Sequence, residues 1–137
     1  MKFISAEEFL KQDEKVQETF INWWKPDIGD LFKYKETDEH DCIEVECIQS
    51  KNRLRTISFA EVIPLLTEGQ LRKFIEDKTG GIENIEYFIG IGEYDIKTMP
   101  LVDGIYEHDI YEDLGDDLLQ AYWKVAVEIA SKEVKEQ

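Results

Sequence analysis

Cysteine, histidine, methionine and proline are all scarce in this chain, which has two, two, two and three of them in 137 residues. The cysteines, Cys42 and Cys47, share the alternating stretch CIEVEC. Their odd separation puts them on opposite faces of a strand, where they cannot easily bridge, so both are expected to be reduced thiols. Their spacing fits neither C-x-x-C redox chemistry nor a zinc pair. Long hydrophobic runs are missing too. Nothing approaches the roughly 18 apolar residues that span a bilayer, and the start MKFISAEEFLKQDEK lacks the apolar core of a signal peptide. A cytoplasmic location is therefore expected. Positive charge is the other deficit: 16 basic residues stand against 31 acidic ones, for a net charge of −15. Such a field repels nucleic acid phosphates and anionic lipid head groups, so neither direct nucleic acid binding nor membrane binding is expected.

Catalytic signatures are equally thin. There is no P-loop, no G-x-S-x-G and no H-E-x-x-H, and Gly90-Ile91-Gly92 lacks the third glycine and following helix of a dinucleotide fingerprint. No catalytic residue and no cofactor is assigned. What the chain does have is 42% hydrophobic and 12% aromatic residues, enough to bury a core despite the charge. Its length suits one domain, residues 1–137.

The apolar periodicity predicts the elements. Ser5 to Glu8 spell a capping box before a short helix. Asp13 can cap a second helix, whose stripe is Val16, Phe20, Trp23 and Trp24, and Lys25-Pro26 ends it. Leu31 to Tyr34 reads as a strand. Ile43, Val45 and Cys47 form the expected inward face of the next one, opposite Glu44 and Glu46. Residues 52–66 admit two readings, RLRTISF as a strand or a helical turn begun by the weak capping box at Ser58 to Glu61; on a strand, Lys51, Arg53 and Arg55, alternating with Asn52 and Leu54, would project from one side. Thr67 and Gln70 cap a helix striped by Leu71, Phe74 and Ile75, with Gly80-Gly81 as its left-handed stop. IEYFIGIGEYDIKTM reads as a hairpin or bulged pair. The last helix carries Leu118, Tyr122, Val125 and Ile129 on one line and Leu119, Trp123, Ala126 and Ala130 on the next, with Asp116 and Asp117 at its positive end and Lys132 and Lys135 near its negative one. The order predicts an α+β single domain, with helices packed on a small, mostly antiparallel sheet and a long amphipathic C-terminal helix.

Three stretches together, FINWWKPDIGDLF, IPLLTEGQLRKFIEDKTG and DLLQAYWKVAVEIA, resemble small uncharacterised proteins encoded by phages and prophages of Gram-positive bacteria. In those proteins a tryptophan pair precedes Lys-Pro and Gly-Asp, a Pro-Leu-x-Thr-x-Gly-Gln-Leu helix start lies mid-chain, and a Leu-Gln-Ala-Tyr-Trp helix comes last. The resemblance implies a phage or prophage source and the host bacterial cytoplasm. It carries no catalytic or ligand-binding residues to this chain.

Several residues are candidates for a functional role. The tripeptides Glu39-His40-Asp41 and Glu107-His108-Asp109 hold both histidines. Brought together, His40, Asp41, His108 and Asp109 have nitrogen and oxygen donors for zinc or manganese, the basis of a metal-dependent enzyme reading. Neighbouring side chains on a strand point apart, however, so one tripeptide cannot easily focus all three on one ion. Trp23 and Trp24 diverge by about 100° on a helix, which lets one fill the core while the other meets a partner. Residues 103–117 hold seven acids, among them Glu107, Asp109, Glu112, Asp113, Asp116 and Asp117, and no lysine or arginine. Residues 36–46 hold six acids and no lysine or arginine. Side by side, the two segments make a phosphate-like face, the basis of a DNA-mimic reading in which a host DNA-binding or defence enzyme is inhibited. The leading expectation is a non-enzymatic module that binds a protein partner, with a homodimer as a variant of that reading.

Overall fold

The computed structural model describes residues 2–35, 45–58, 61–100 and 109–136. The fold is α+β, as the residue pattern predicts, and the described residues form two three-stranded antiparallel sheets and a long C-terminal helix among their elements. The chain divides into two compact units, one of Ile4–Leu66 and the other of Met1–Phe3 with Thr67–Gln137.

In the first unit Ser5 accepts the backbone N–H of Glu8 at 3.1 Å and starts α1 (Ala6–Leu10). Asp13 precedes α2 (Glu14–Trp23) at the expected position, but its side chain makes no capping hydrogen bond. Val16 and Phe20 are buried on α2, and Phe20 meets Phe9 with ring centroids 6.2 Å apart. The helix ends as Trp24 turns extended. After the turn at Gly29, β1 (Leu31–Tyr34) pairs on one side with β2 (Glu46–Cys47) and on the other with β3 (Val62–Pro64).

The register corrects one expectation. Phe32 pairs with Glu46, and Tyr34 with Val62. Even-numbered positions of β1 and β2 therefore share a face, and Phe32, Ile48 and Val62 join Trp24 in a buried cluster. Val45 and Cys47 point the other way and are exposed. Ile48 takes the inward place because its backbone is held to the β1 turn from both directions, by Gly29 N–H to Ile48 O at 2.8 Å and Ile48 N–H to Asp30 O at 3.0 Å. Ile43 and Cys42 lie outside the described residues.

Residues 52–66 follow neither reading in full. Ser50 accepts the Arg53 N–H and starts α3 (Lys51–Thr56), so Lys51, Arg53 and Arg55 sit on a helix and not along one side of a strand. At 100° per residue they fan around its axis. Arg53 bonds to the Tyr34 hydroxyl, while Leu54 and Ile57 pack on the Trp24 cluster. Glu61, in a 3-10 turn, donates its N–H to Ser58 O at 3.0 Å just before β3, and residues 59 and 60 lie outside the described residues.

In the second unit the capping box at Thr67 is complete. Its hydroxyl accepts the Gln70 N–H, and the Gln70 side chain accepts the Thr67 N–H at 2.9 Å. Helix α4 (Glu68–Lys78) buries Leu71, Phe74 and Ile75 as the stripe predicts. Its end differs from the expectation, because the chain leaves through Thr79 in an extended conformation and not through a left-handed glycine. Gly80 has another duty. Its N–H donates to Met99 O at 2.7 Å, and a Cβ there would collide with the Pro100 carbonyl oxygen. Gly81, at φ +119, then opens β4.

Strands β4 (Gly81–Phe88) and β5 (Glu93–Met99) form the expected hairpin, with a bulge between Ile82 and Asn84, and β6 (Asp109–Tyr111) adds to the far side of β5. Helix α5 (Leu118–Lys135) buries Leu119, Tyr122, Trp123, Val125, Ala126, Ile129 and Ala130, with Leu118 half-buried at its start. α4 and α5 pack on each other and on the sheet, where Ile96 and Thr98 of β5 are buried.

Candidate partner-binding surface

Alternation along β5 sorts the sheet of the second unit into two faces. Ile96 and Thr98 point to the helices, and with them Ile85 and Tyr111, the two cross-strand partners of Ile96. The other face carries Asn84 and Glu86 of β4, Asp95 and Lys97 of β5, and Ile110 of β6. With Glu112 these residues line a shallow recess of about 270 Å³. Ile110 is 57% exposed there, a large apolar side chain among charged ones.

At one end of this sheet the hairpin turns through Ile89, Gly90, Ile91 and Gly92. Phe88 O accepts both the Ile91 N–H at 3.2 Å and the Gly92 N–H at 2.7 Å, and Gly92 has the left-handed φ of +68 that closes the turn. Turns are ordinarily built from polar side chains that meet water. This one has none. Ile89 is 88% and Ile91 67% exposed, and Tyr87 and Phe88 at its base are also exposed. The base is braced by the Tyr87 and Tyr94 rings, whose centroids are 4.7 Å apart.

The acidic segment after β6 is drawn to the same place. Beyond Tyr111 it continues to pair with β5, through Leu114 N–H to Tyr94 O at 3.0 Å and Tyr94 N–H to Gly115 O at 2.9 Å. This brings Asp113, in the left-handed conformation at φ +57, beside the hairpin, where its N–H donates to Asp95 Oδ1 at 3.1 Å. Asp tolerates that conformation better than most residues. A hydrogen bond with Asp113 holds the Glu93 carboxyl above its ordinary range, helped by burial and by the charges of Asp113 and Asp95, against the pull of Lys124. Glu93, Asp95, Glu112 and Asp113 thus form an acidic collar at the root of an apolar tip. Lys124, whose charge pulls on Glu93, has its Nζ donating to Leu114 O at 3.1 Å.

Other sequence candidates lie elsewhere. Asp117 caps α5, its Oδ1 accepting the Gln120 N–H at 3.2 Å, and Asp116 is exposed beside it. Asp109 is exposed on β6 at a recess of about 370 Å³ that also takes in Lys78, Tyr111, Lys132 and Glu133. There Lys78 pairs with Glu133 at 2.9 Å, and Lys132 Nζ lies 5.3 Å from the centre of the Tyr111 ring. Burial raises the Tyr111 hydroxyl above its ordinary pKa, partly offset by Lys132. Trp24 is buried in the core of the first unit, with its Nε1–H donating to Asp30 Oδ2 at 3.1 Å, and Trp23 is half-buried against the same core. His40, Asp41, Glu107 and His108 lie outside the described residues. Among the described residues, no group of three or more His, Cys, Asp or Glu side chains is placed to hold a metal ion, and no helix is long and apolar enough to cross a membrane.

Sequence reasoning missed the tip. It read IEYFIGIGEYDIKTM as a hairpin or bulged pair interrupted by Gly90 and Gly92, but assigned no role to Ile89 and Ile91, although an apolar residue within a turn has little to pack against. No family model, no curated protein and no solved structure matches this chain.

Proposed function

We propose that this protein acts by binding another protein, with the β4–β5 tip as the apolar anchor and the carboxylate collar around it as the polar rim. The observation that carries this reading is the turn Ile89 to Gly92, which presents two isoleucines to water on a chain of net charge −15. Exposed apolar surface rimmed by polar groups is the usual signature of an interaction site. Each isoleucine moved wholly into an apolar cleft contributes about 1.5 to 3 kcal/mol. The setting we propose is that of a phage or prophage product in a bacterial cytoplasm, supported by the resemblance of the three sequence stretches.

The mixed character of the described surface supports this reading over a DNA mimic, seven of whose thirteen acids, in residues 36–44 and 101–108, lie outside the described residues. A phosphate-like face needs carboxylates of one sign without interruption, whereas here Ile110 and Lys97 lie among them. Capture from bacterial lysate by the wild type and by an Ile89→Asn, Ile91→Asn variant, each at low and high salt, tests the reading. The expected result is a protein retained by the wild type at both salt concentrations and weakened about a hundredfold or more in the variant. Partners that ignore the isoleucines and are lost only to salt would overturn it in favour of the acidic mimic.

A further inference from the structure

The outer edge of β4 is open among the described residues. Among the described residues the strand is terminal in its sheet, pairs only with β5, and at eight residues is the longest of six strands. Edge strands offer unpaired N–H and C=O groups to any other strand, and proteins guard them with bulges, lysines, prolines or short length. β4 is guarded over its first half alone, by the bulge between Ile82 and Asn84 and by the Glu83 to Lys97 ion pair at 3.6 Å. From Asn84 to Phe88 the register is regular, with no lysine, proline or bulge, and all but Ile85 are exposed.

Charge says what this edge accepts. Asn84 and Glu86 stand on the uncovered face, linked by a hydrogen bond of 2.6 Å, and cross-strand from Glu86 is Asp95. A second copy pairing antiparallel about Glu86 would set its own Glu86 opposite this one, a like-charge pair that destabilises a ladder. A strand carrying lysine or arginine at the same place gains instead. On the helix-facing side the new strand would lie beside Ile85 and Tyr87, whose neighbours in a ladder are best β-branched or apolar.

We propose that the partner binds by strand addition: an extended segment of another protein, basic on one face and β-branched on the other, pairs with β4 along Asn84 to Phe88. This rests on the reading of the protein as a protein-binding module and names how the partner is held. Main-chain bonds along the edge provide the affinity, the alternate side chains set the choice of sequence, and the apolar tip anchors one end.

The test uses the full chain and a synthetic peptide of about nine residues alternating lysine with valine, near the usual strand length. A second peptide of the same sequence is N-methylated at alternate backbone amides, which keeps its charge and apolar content while removing its ability to pair. Amide hydrogen exchange of the protein is followed residue by residue. Expected is an exchange slower by about tenfold or more at alternate amides between Asn84 and Phe88 with the first peptide, no change at β6, and no such protection with the N-methylated peptide. Equal protection by both peptides, protection confined to other elements, or none at saturating peptide overturns the proposal. So does edge protection that rises with protein concentration in the absence of peptide, which would assign the edge to a second copy. A Glu86→Lys variant should prefer a glutamate–valine peptide to the lysine one, and an unchanged preference counts against the proposal. The broader reading has its own readout, the loss of capture on changing Ile89 and Ile91, so the two fail separately.

Discussion

Two isoleucines of the β4–β5 hairpin, Ile89 and Ile96, should differ sharply in what they contribute to stability. Ile96 is fully buried between the sheet and the helices, while Ile89 is 88% exposed in the turn. Truncating Ile96 to alanine removes buried methyl groups and leaves a cavity in a packed core, at a cost of about 2 to 5 kcal/mol. Ile89 keeps only about an eighth of its surface from water. Scaling a full burial term of 1.5 to 3 kcal/mol by that fraction leaves roughly 0.2 to 0.4 kcal/mol for Ile89→Ala. Urea unfolding followed by far-ultraviolet circular dichroism separates these values. With a slope of about 2 kcal/mol per molar, Ile96→Ala should lower the midpoint by about 1 to 2.5 M and Ile89→Ala by about 0.2 M or less. A loss above about 1 kcal/mol for Ile89→Ala, well beyond the usual range for surface positions, would mean that the turn packs against the protein itself. The apolar tip would then need no partner to explain it.

Other substitutions test the local physics. Thr67→Ala removes the acceptor of the Gln70 N–H and half of the capping box, and should cost about 1 kcal/mol in the same assay. Gly80→Ala forces a Cβ against the Pro100 carbonyl, an overpacking that should cost about 1 to 3 kcal/mol and speed amide exchange at the start of β4. Glu93 is held above its ordinary carboxyl pKa of 4.5, so the folded state binds its proton more tightly than the unfolded chain does. Its contribution to stability therefore falls as pH rises from 4.5 through the raised value, and stays lower above that window. Thermal melts across the window should show this slope in the wild type and its loss in Glu93→Gln, which should melt higher than the wild type at neutral pH; an unchanged slope would count against the Glu93–Asp113 contact.

The elements that the sequence foretold are those with local causes. The capping box at Thr67, the wide stripe of α5 and the two glycines of the hairpin act within a few residues of where they stand, and each is found where expected. The errors fall where tertiary contacts decide. KNRLRT alternates like a strand, yet it is a helix because Ser50 caps it and Leu54 reaches the Trp24 cluster. Val45 and Cys47 read as inward residues, but the backbone bonds of Ile48 to the β1 turn set the opposite parity. Of the candidate site, the acidity of residues 112–113 was plain in the sequence. Their place beside Glu93 and Asp95 was not, because it depends on the pairing of Leu114 and Gly115 with Tyr94. Composition could not reveal the tip either, since an apolar run inside a sheet and one at its turn differ only in what covers them.

Photo-crosslinking from the tip, in bacteria expressing the protein, tests its role most directly. A benzoylphenylalanine at position 89 is compared with one at position 14, an exposed site on α2. Strand addition anchored at the tip predicts a discrete heavier adduct with one other protein from position 89, absent from position 14 and lost in Glu86→Lys. The same adducts from both positions, or an adduct only with a second copy of the chain, would contradict it.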